Sequence, residues 1–370
     1  MATSKKVLGG NESIRIAIAQ ISPVFMDKER SLARAEKAIA DAAADNADLV
    51  VFSEAWLSGY PYWTEGWDSG LQDWVAGRVA FRDSAVVIGT EDTERLSAAA
   101  AQHRIHLVMG CNELDADPAS NTIYNTQLFF DGDGKLLGRH RKLMPTFGER
   151  QFWGQGQLTD LRVYDTDIGR IGGLICGEHL MPLVRAAMIE LGEEIHVAAF
   201  PGSFVLHTGP RLEEPDLTGD AWRISSTRNH AFEAGAFVAS ASSIIDPADV
   251  PDGFPYKGKM NIDYATGGSS IISPLGVPLV EPTMGSQILV SDCEAWMIKA
   301  VKAIVDTAGH YSRPDLLALA VKGQSGWDVL NRDGQIPSGW GTSLLRSAEA
   351  HDVDPLLLPE AAQASISADS

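Results

Sequence analysis

Apolar residues recur with two different periods in the first fifty positions. Residues 15–20, Arg-Ile-Ala-Ile-Ala-Gln, alternate Ile with Ala, which predicts a strand carrying Ile on one face and Ala on the other. From Ser31 onward, Leu32, Ala35, Ile39 and Ala42 fall three and four apart, the stripe of an amphipathic helix. Residues 48–52, Asp-Leu-Val-Val-Phe, contain an unbroken apolar run and read as a buried strand. Strand, helix and buried strand in that order are the βαβ pattern of an α/β fold.

Residues 58–82 break this rhythm. Gly-Tyr-Pro-Tyr-Trp and two further tryptophans occur there without a period, so a long aromatic loop beside a site is expected. Strands are predicted over 105–110 and 122–130, after which Asp131-Gly132-Asp133-Gly134 turns the chain into 135–142 as a hairpin. A second hairpin is predicted from strands over 161–164 and 170–175, with its turn at 165–169. Pro182 opens a helix that Gly192 stops after Leu191, and a further helix covers 222–234. The remaining strands are placed at 196–200, 237–240, 269–273 and 287–291. No solenoid-length repeat and no linker divides the chain. One domain over 14–345 is expected, between a flexible N-terminus (1–13) and a weakly ordered tail (346–370) rich in Ala, Ser, Asp and Pro.

Composition narrows the class. The 370 residues are 45% apolar, enough for a large core. Thirty Lys and Arg against 49 Asp and Glu leave a net charge of −19, which argues against nucleic acid or an anionic membrane as partner. No apolar run approaches the roughly 18 residues of a membrane span. The first residues hold two lysines without a following apolar core, so no secretory leader is expected. Cys111, Cys176 and Cys293 are odd in number and widely spaced, which fits a reducing, cytoplasmic setting rather than a disulfide framework.

Three places put reactive groups where apolar strands end. Ile171-Gly-Gly-Leu-Ile-Cys176-Gly177-Glu178-His179 delivers a thiol at the end of a buried strand, with a helix expected within about six residues. A helix N-terminus there would favour thiolate, and the Gly177 N–H would serve as an oxyanion-type donor. Read alone, Cys176 is either that nucleophile or a buried core cysteine. Glu54 ends the run Leu49-Val50-Val51-Phe52 directly before the aromatic stretch, which would desolvate it and raise its pKa toward neutrality. The basic run Arg139-His140-Arg141-Lys142 is either a solvated edge or the carrier of a lysine that enters a pocket and stabilises negative charge. Glu149, next to Arg150, fits a surface ion pair or a catalytic role equally well. No metal set is expected: Glu178 and His179 are adjacent and cannot both turn toward one ion with Cys176, and His103 and His106 lack a second pair.

Taken together, these segments resemble the nitrilase (carbon–nitrogen hydrolase) superfamily. Phe52-Ser53-Glu54-Ala55-Trp56-Leu57-Ser58-Gly59-Tyr60-Pro61-Tyr62-Trp63 is similar to its glutamate segment. Arg141-Lys142-Leu143-Met144-Pro145-Thr146, with Glu149-Arg150 and Trp153-Gly154-Gln155-Gly156, is similar to its lysine segment. Ile175-Cys176-Gly177-Glu178-His179-Leu180-Met181-Pro182-Leu183 is similar to its nucleophile segment, and Gly309-His310-Tyr311-Ser312-Arg313-Pro314-Asp315 to the C-terminal signature of true nitrilases. Ser53, Gly177 and Gln157 stand where many relatives have Pro, Trp and Asp, which bears on substrate choice.

The resemblance implies a four-layer αββα sandwich and a Glu54–Lys142–Cys176 triad assisted by Glu149. It also implies hydrolysis of a small-molecule nitrile through a covalent thioimidate and thioester, without metal or organic cofactor. An amidase or carbamoylase of the same superfamily is the alternative, with hydration to the amide as a side activity. Tyr60, Trp153, Gly177, His179, Phe200 and Pro201 are expected to line the pocket. Family members form dimers and spirals, so a homo-oligomer is expected, with the helix after Cys176 and residues 246–263 as contact candidates.

Overall fold

The computed structural model describes residues 6–63, 70–203, 220–323 and 326–329. The expected tail over 346–370 lies outside them. Alternation in β1 (Ser13–Gln20) sends Ile14, Ile16 and Ile18 to one buried face and Ala17 and Ala19 to the other. β1 pairs in parallel with β2 (Leu49–Val51), and β2 with β3 (His106–Leu114). β4 (Ile123–Phe130) and β5 (Leu136–Arg141) then add as antiparallel neighbours. The second sheet is built from β6 (Tyr164–Thr166), β7 (Gly169–Ile175), β8 (Ile195–Phe200), β9 (Phe237–Ser242), β10 (Gly267–Ile272) and β11 (Pro278–Met284). β12 (Gln287–Glu294) returns to the first sheet, antiparallel to β1. The two six-stranded orders are β12-β1-β2-β3-β4-β5 and β11-β10-β9-β8-β7-β6.

The isoleucine face of β1 packs with Val51, Val108, Ile171, Val197 and Phe237, so the two sheets stack on one another. On the outer face of the first sheet, Ala17, Val50 and Leu107 meet Leu32, Ala35 and Ile39 of α1 (Lys28–Ala44). α3 (Glu91–His103), which follows α2 (Leu71–Asp83) in the chain, adds Leu96 and Ala100 to the same cluster. On the outer face of the second, Leu174 meets α4 (Pro182–Leu191), and Ile175 and Val238 meet Ala231 of α5 (Asp220–Ala234). Helix, sheet, sheet, helix is the αββα sandwich. Each isoleucine or leucine so buried contributes about 1.5–3 kcal/mol of transfer free energy. After β12 the chain continues in α6 (Ala295–Ile304) and a small hairpin, β13 (Ala320–Gly323) with β14 (Gly326–Val329).

Three expectations change. Within 58–82 the structure places α2, whose buried residues are Gly77 and Phe81 while Leu71, Val75 and Val79 face outward. Its apolar stripe points the wrong way for a core helix, which hid it in the pattern; residues 64–69 lie outside the described ones. The second hairpin pairs Thr166 with Gly169, so its turn is Asp167 and Ile168, tighter than expected. The N-terminus is tied down from Val7: Leu8 is fully buried and its N–H donates to Glu194 at 3.2 Å.

Candidate active site

Glu54 follows β2, Lys142 follows β5 and Cys176 follows β7. β2 and β5 run the same way in the first sheet, so the carboxylate and the ammonium emerge at one end of it. The sulfur arrives from the second sheet. The chain leaves β2 in close contact with β3: a Cβ on Gly110 would lie 1.9 Å from the Ser53 carbonyl oxygen, so only glycine admits this path.

The ammonium of Lys142 donates to Glu54 Oε1 at 2.8 Å and to Glu149 Oε2 at 2.7 Å, and none of the three side chains is more than 3% exposed. Asn125 Nδ2 donates to the same Glu54 Oε1 at 2.6 Å. The other oxygen, Oε2, is buried without a hydrogen-bond partner. Glu149 sits in a single 3-10 turn, Phe147–Gln151, where it accepts from the Tyr60 hydroxyl at 2.8 Å and the Thr146 N–H at 2.6 Å. The sulfur of Cys176 and one carboxylate oxygen from each of Glu54 and Glu149 all lie within 4.8 Å of one another. That spacing could hold a metal ion, but the Lys142 ammonium already takes the place of a cation there.

Burial pushes the Glu54 carboxyl up, Lys142 pulls it back and Glu149 raises it again, leaving it at about 7. Burial alone would lower Lys142, yet Glu149 and Glu54 outweigh it and hold the ammonium well above the ordinary lysine range. The Cys176 thiol is pushed well above its usual value by burial and then by Glu54, while Lys142 and the Gly177 N–H act the other way. The expected thiolate-favouring helix terminus therefore does not prevail. A 3-10 turn, Cys176–Leu180, begins at the cysteine itself and α4 only at Pro182. Burial thus favours the thiol form of Cys176, and a carboxylate near neutrality and an ammonium lie beside it.

Cys176 has a left-handed backbone, φ 49°, a conformation that costs a non-glycine residue about 1–2 kcal/mol. Glu178 helps to hold it: Oε2 accepts from the Ile175 N–H at 2.7 Å and Oε1 from the Leu143 N–H at 2.8 Å.

The expected pocket residues divide. Tyr60 touches the site through Glu149, and the Trp153 ring centroid lies 5.9 Å from Lys142 Nζ while its indole N–H donates to Asn112 at 2.9 Å. Gly177 is half-buried beside the sulfur, and a Cβ there would lie 2.8 Å from Thr146 Oγ1. The Pro201 carbonyl accepts from Tyr62 at 2.7 Å, whereas Phe200 packs toward α5 against Trp222 and His179. Both ring nitrogens of His179 are engaged, with the Cys176 carbonyl at 2.9 Å and His196 at 3.0 Å.

Sequence reasoning missed Asn125 and Tyr264. Asn125 and Gln127 are buried polar residues two apart on one face of β4, a signal that this face serves something other than the core. Tyr264 lies close enough to Glu149, Cys176 and Glu54 for their charges to help raise its phenol, after burial, and its ring is 5.5 Å from Tyr62. No strand end announces it.

A family model described as carbon-nitrogen hydrolase matches residues 15–303. Among curated proteins, "Nitrilase 2" from an unknown prokaryotic organism is 35% identical over 89% of this chain and 99% of its own length. "Nitrilase 2" of Arabidopsis thaliana is 38% identical over 83% of this chain and 88% of its own. "Bifunctional nitrilase/nitrile hydratase NIT4B" of Nicotiana tabacum is 37% identical over 85% and 88%. Among solved structures, Saccharomyces cerevisiae Nit3 superposes with a TM-score of 0.63 at 24% identity, covering 84% of this chain and all of Nit3. A carbon-nitrogen hydrolase from Helicobacter pylori G27 gives 0.62 at 19% identity, over 79% of this chain and 93% of that one. The structural likenesses show the same fold.

Proposed function

This chain belongs to the carbon–nitrogen hydrolase family, on its nitrilase branch, and from that premise we propose that it hydrolyses an organic nitrile to the carboxylic acid and ammonia. The observation that carries the reading is the convergence of one sulfur, two carboxylates and one ammonium in a buried site. Cys176 attacks the nitrile carbon as Glu54 takes the thiol proton on its unpaired Oε2 and passes it to the nitrogen, giving a thioimidate. Lys142 stabilises the charge that develops on that nitrogen, and Glu149, fixed by Tyr60 and Thr146, holds Lys142 in place. A water activated by Glu54 adds, the C–N bond breaks and ammonia leaves. A second water then releases the acid from the thioester and returns the thiol.

A second outcome has its own support, since NIT4B of Nicotiana tabacum is named as bifunctional. If the tetrahedral intermediate expels the thiolate instead of ammonia, the product is the amide. The test is incubation with aliphatic, arylaliphatic and aromatic nitriles and their amides, with ammonia, acid and amide measured. Acid and ammonia from nitriles, lost in Cys176→Ala, support the proposal; ammonia from amides alone makes the protein an amidase and overturns it.

The rest of the reading concerns setting. Three unpaired cysteines suit a cytoplasmic location, and no helix among the described residues is long and apolar enough to cross a membrane. Leu180 at the end of the 3-10 turn and Leu183 in the first turn of α4, 57% and 72% exposed, support self-association through the helix after Cys176.

A further inference from the structure

Next to the turn that carries Cys176 lies a cluster of titratable side chains that the reaction does not touch. Glu193, His196, His230 and His179 are each no more than 1% exposed. Glu193 Oε2 lies 2.7 Å from His196 Nδ1, and its Oε1 lies 2.5 Å from His230 Nε2. His196 Nε2 lies 3.0 Å from His179 Nε2, and His179 Nδ1 lies 2.9 Å from the carbonyl oxygen of Cys176.

Donors and acceptors can be assigned along this chain. A carbonyl oxygen only accepts, so His179 Nδ1 carries a proton. Two ring nitrogens 3.0 Å apart need one proton between them, and the contact of His196 Nδ1 with the carboxylate needs another. Two neutral imidazoles own only two such protons, and three are required. Burial opposes the extra charge, drawing His196 and His179 below the ordinary imidazole range, while Glu193 favours it. Glu193 itself is held below the usual carboxylate range, because His196 and His230 outweigh its burial. The other ionisable groups acting on the cluster are His230 of α5, His140 of β5 and Lys302 of α6.

We propose that Glu193, His196 and His179 form a buried relay holding one proton more than two neutral rings, and that His179 is a positioning residue that fixes the Cys176 carbonyl. The carbonyl belongs to the residue with the left-handed backbone, so this contact helps to hold the strained backbone from which the sulfur projects. The inference rests on Cys176 being the nucleophile. Neither measurement below involves a nitrile, so its failure and the failure of the nitrile assignment are told apart.

The first measurement is the rate of Cys176 alkylation by iodoacetamide, followed by peptide mass mapping of the full-length protein. Cys111 and Cys293 are fully buried and report any loss of fold by becoming labelled. His179→Leu is expected to slow Cys176 at least tenfold with the other two protected, and His179→Asn, whose amide N–H reaches the same carbonyl, to stay within threefold of wild type. Wild-type reactivity in folded His179→Leu overturns the positioning role, as does a tenfold slower His179→Asn. The second measurement is the ring-nitrogen NMR spectrum of histidine-labelled protein at neutral pH. In Glu193→Gln the amide can donate to His196 Nδ1 and accept from His230, satisfying the relay with neutral rings, so one imidazolium fewer is expected. Equal imidazolium counts overturn the extra proton.

Discussion

His140 and Glu178 form a fully buried ion pair, 2.8 Å from ring to carboxylate, directly between the segments that deliver Lys142 and Cys176. Glu178 also accepts from the N–H after Lys142 and from the N–H before Cys176, so one carboxylate registers the ammonium against the sulfur. Burial pulls His140 down but Glu178 outweighs it and raises it; burial pushes Glu178 up but His140 outweighs that and lowers it. The stability the pair contributes is therefore lost as pH rises through the raised His140 value, and also as pH falls through the depressed Glu178 value. Urea midpoints measured across pH should show both limbs in wild type and neither in a His140→Gln/Glu178→Gln double variant. Glu178→Ala alone, which leaves His140 Nε2 and two N–H groups unpaired, should cost about 3–5 kcal/mol.

In the proposed mechanism Glu54 has to be ionised to take the thiol proton, and its carboxyl sits at about 7. Turnover should fall as pH drops below that value. Glu149 is one of the charges holding Glu54 up, so Glu149→Gln should move the acid limb to lower pH. Glu54→Gln should keep its unfolding midpoint and lose about 10²–10⁴-fold in kcat. An acid limb that stays put in Glu149→Gln would separate the observed titration from Glu54.

Asn125 acts on the same carboxyl with the opposite sign. Its hydrogen bond lowers the Glu54 carboxyl and occupies Oε1, leaving Oε2 without a hydrogen-bond partner. Asn125→Ala should shift the acid limb to higher pH. Loss of a hydrogen bond to a charged group, about 1.5–3 kcal/mol, corresponds to roughly ten- to a hundredfold in kcat/KM. Stopped-assay ammonia release over a pH series measures both.

Gly177 borders the sulfur, and its nearest obstacle is Thr146, which caps the turn holding Glu149. Gly177→Ala should reduce kcat/KM about tenfold for arylaliphatic nitriles and less for small aliphatic ones. Equal losses across a size series would mean that the space beside Gly177 does not select substrate.

The parallel strands and the clustering of Glu54, Lys142 and Cys176 were legible in the sequence for one reason: each of the three leaves a strand, two of them apolar runs, at the end where such folds build sites. α3 was not, because its buried face is largely alanine and its first turn is acidic, so the apolar contrast is low. β11 carries Pro278 and Pro282, which argue against a strand until its place at the edge of the second sheet is known. α6, Ala-Trp-Met-Ile-Lys-Ala-Val-Lys-Ala-Ile, follows β12 without a break, so no turn residue separates helix from strand. Asn125 and the Glu193–His196–His179 chain stayed hidden because the contacts Asn125–Glu54 and His196–His179 span 71 and 17 positions. A lone histidine three residues past the cysteine could have pointed anywhere.

The sandwich delivers acid and base from one sheet and sulfur from the other. Neither half holds a working centre on its own, so reactivity belongs to the seam between them. A slip of that seam too small to melt any strand would be enough to silence the molecule.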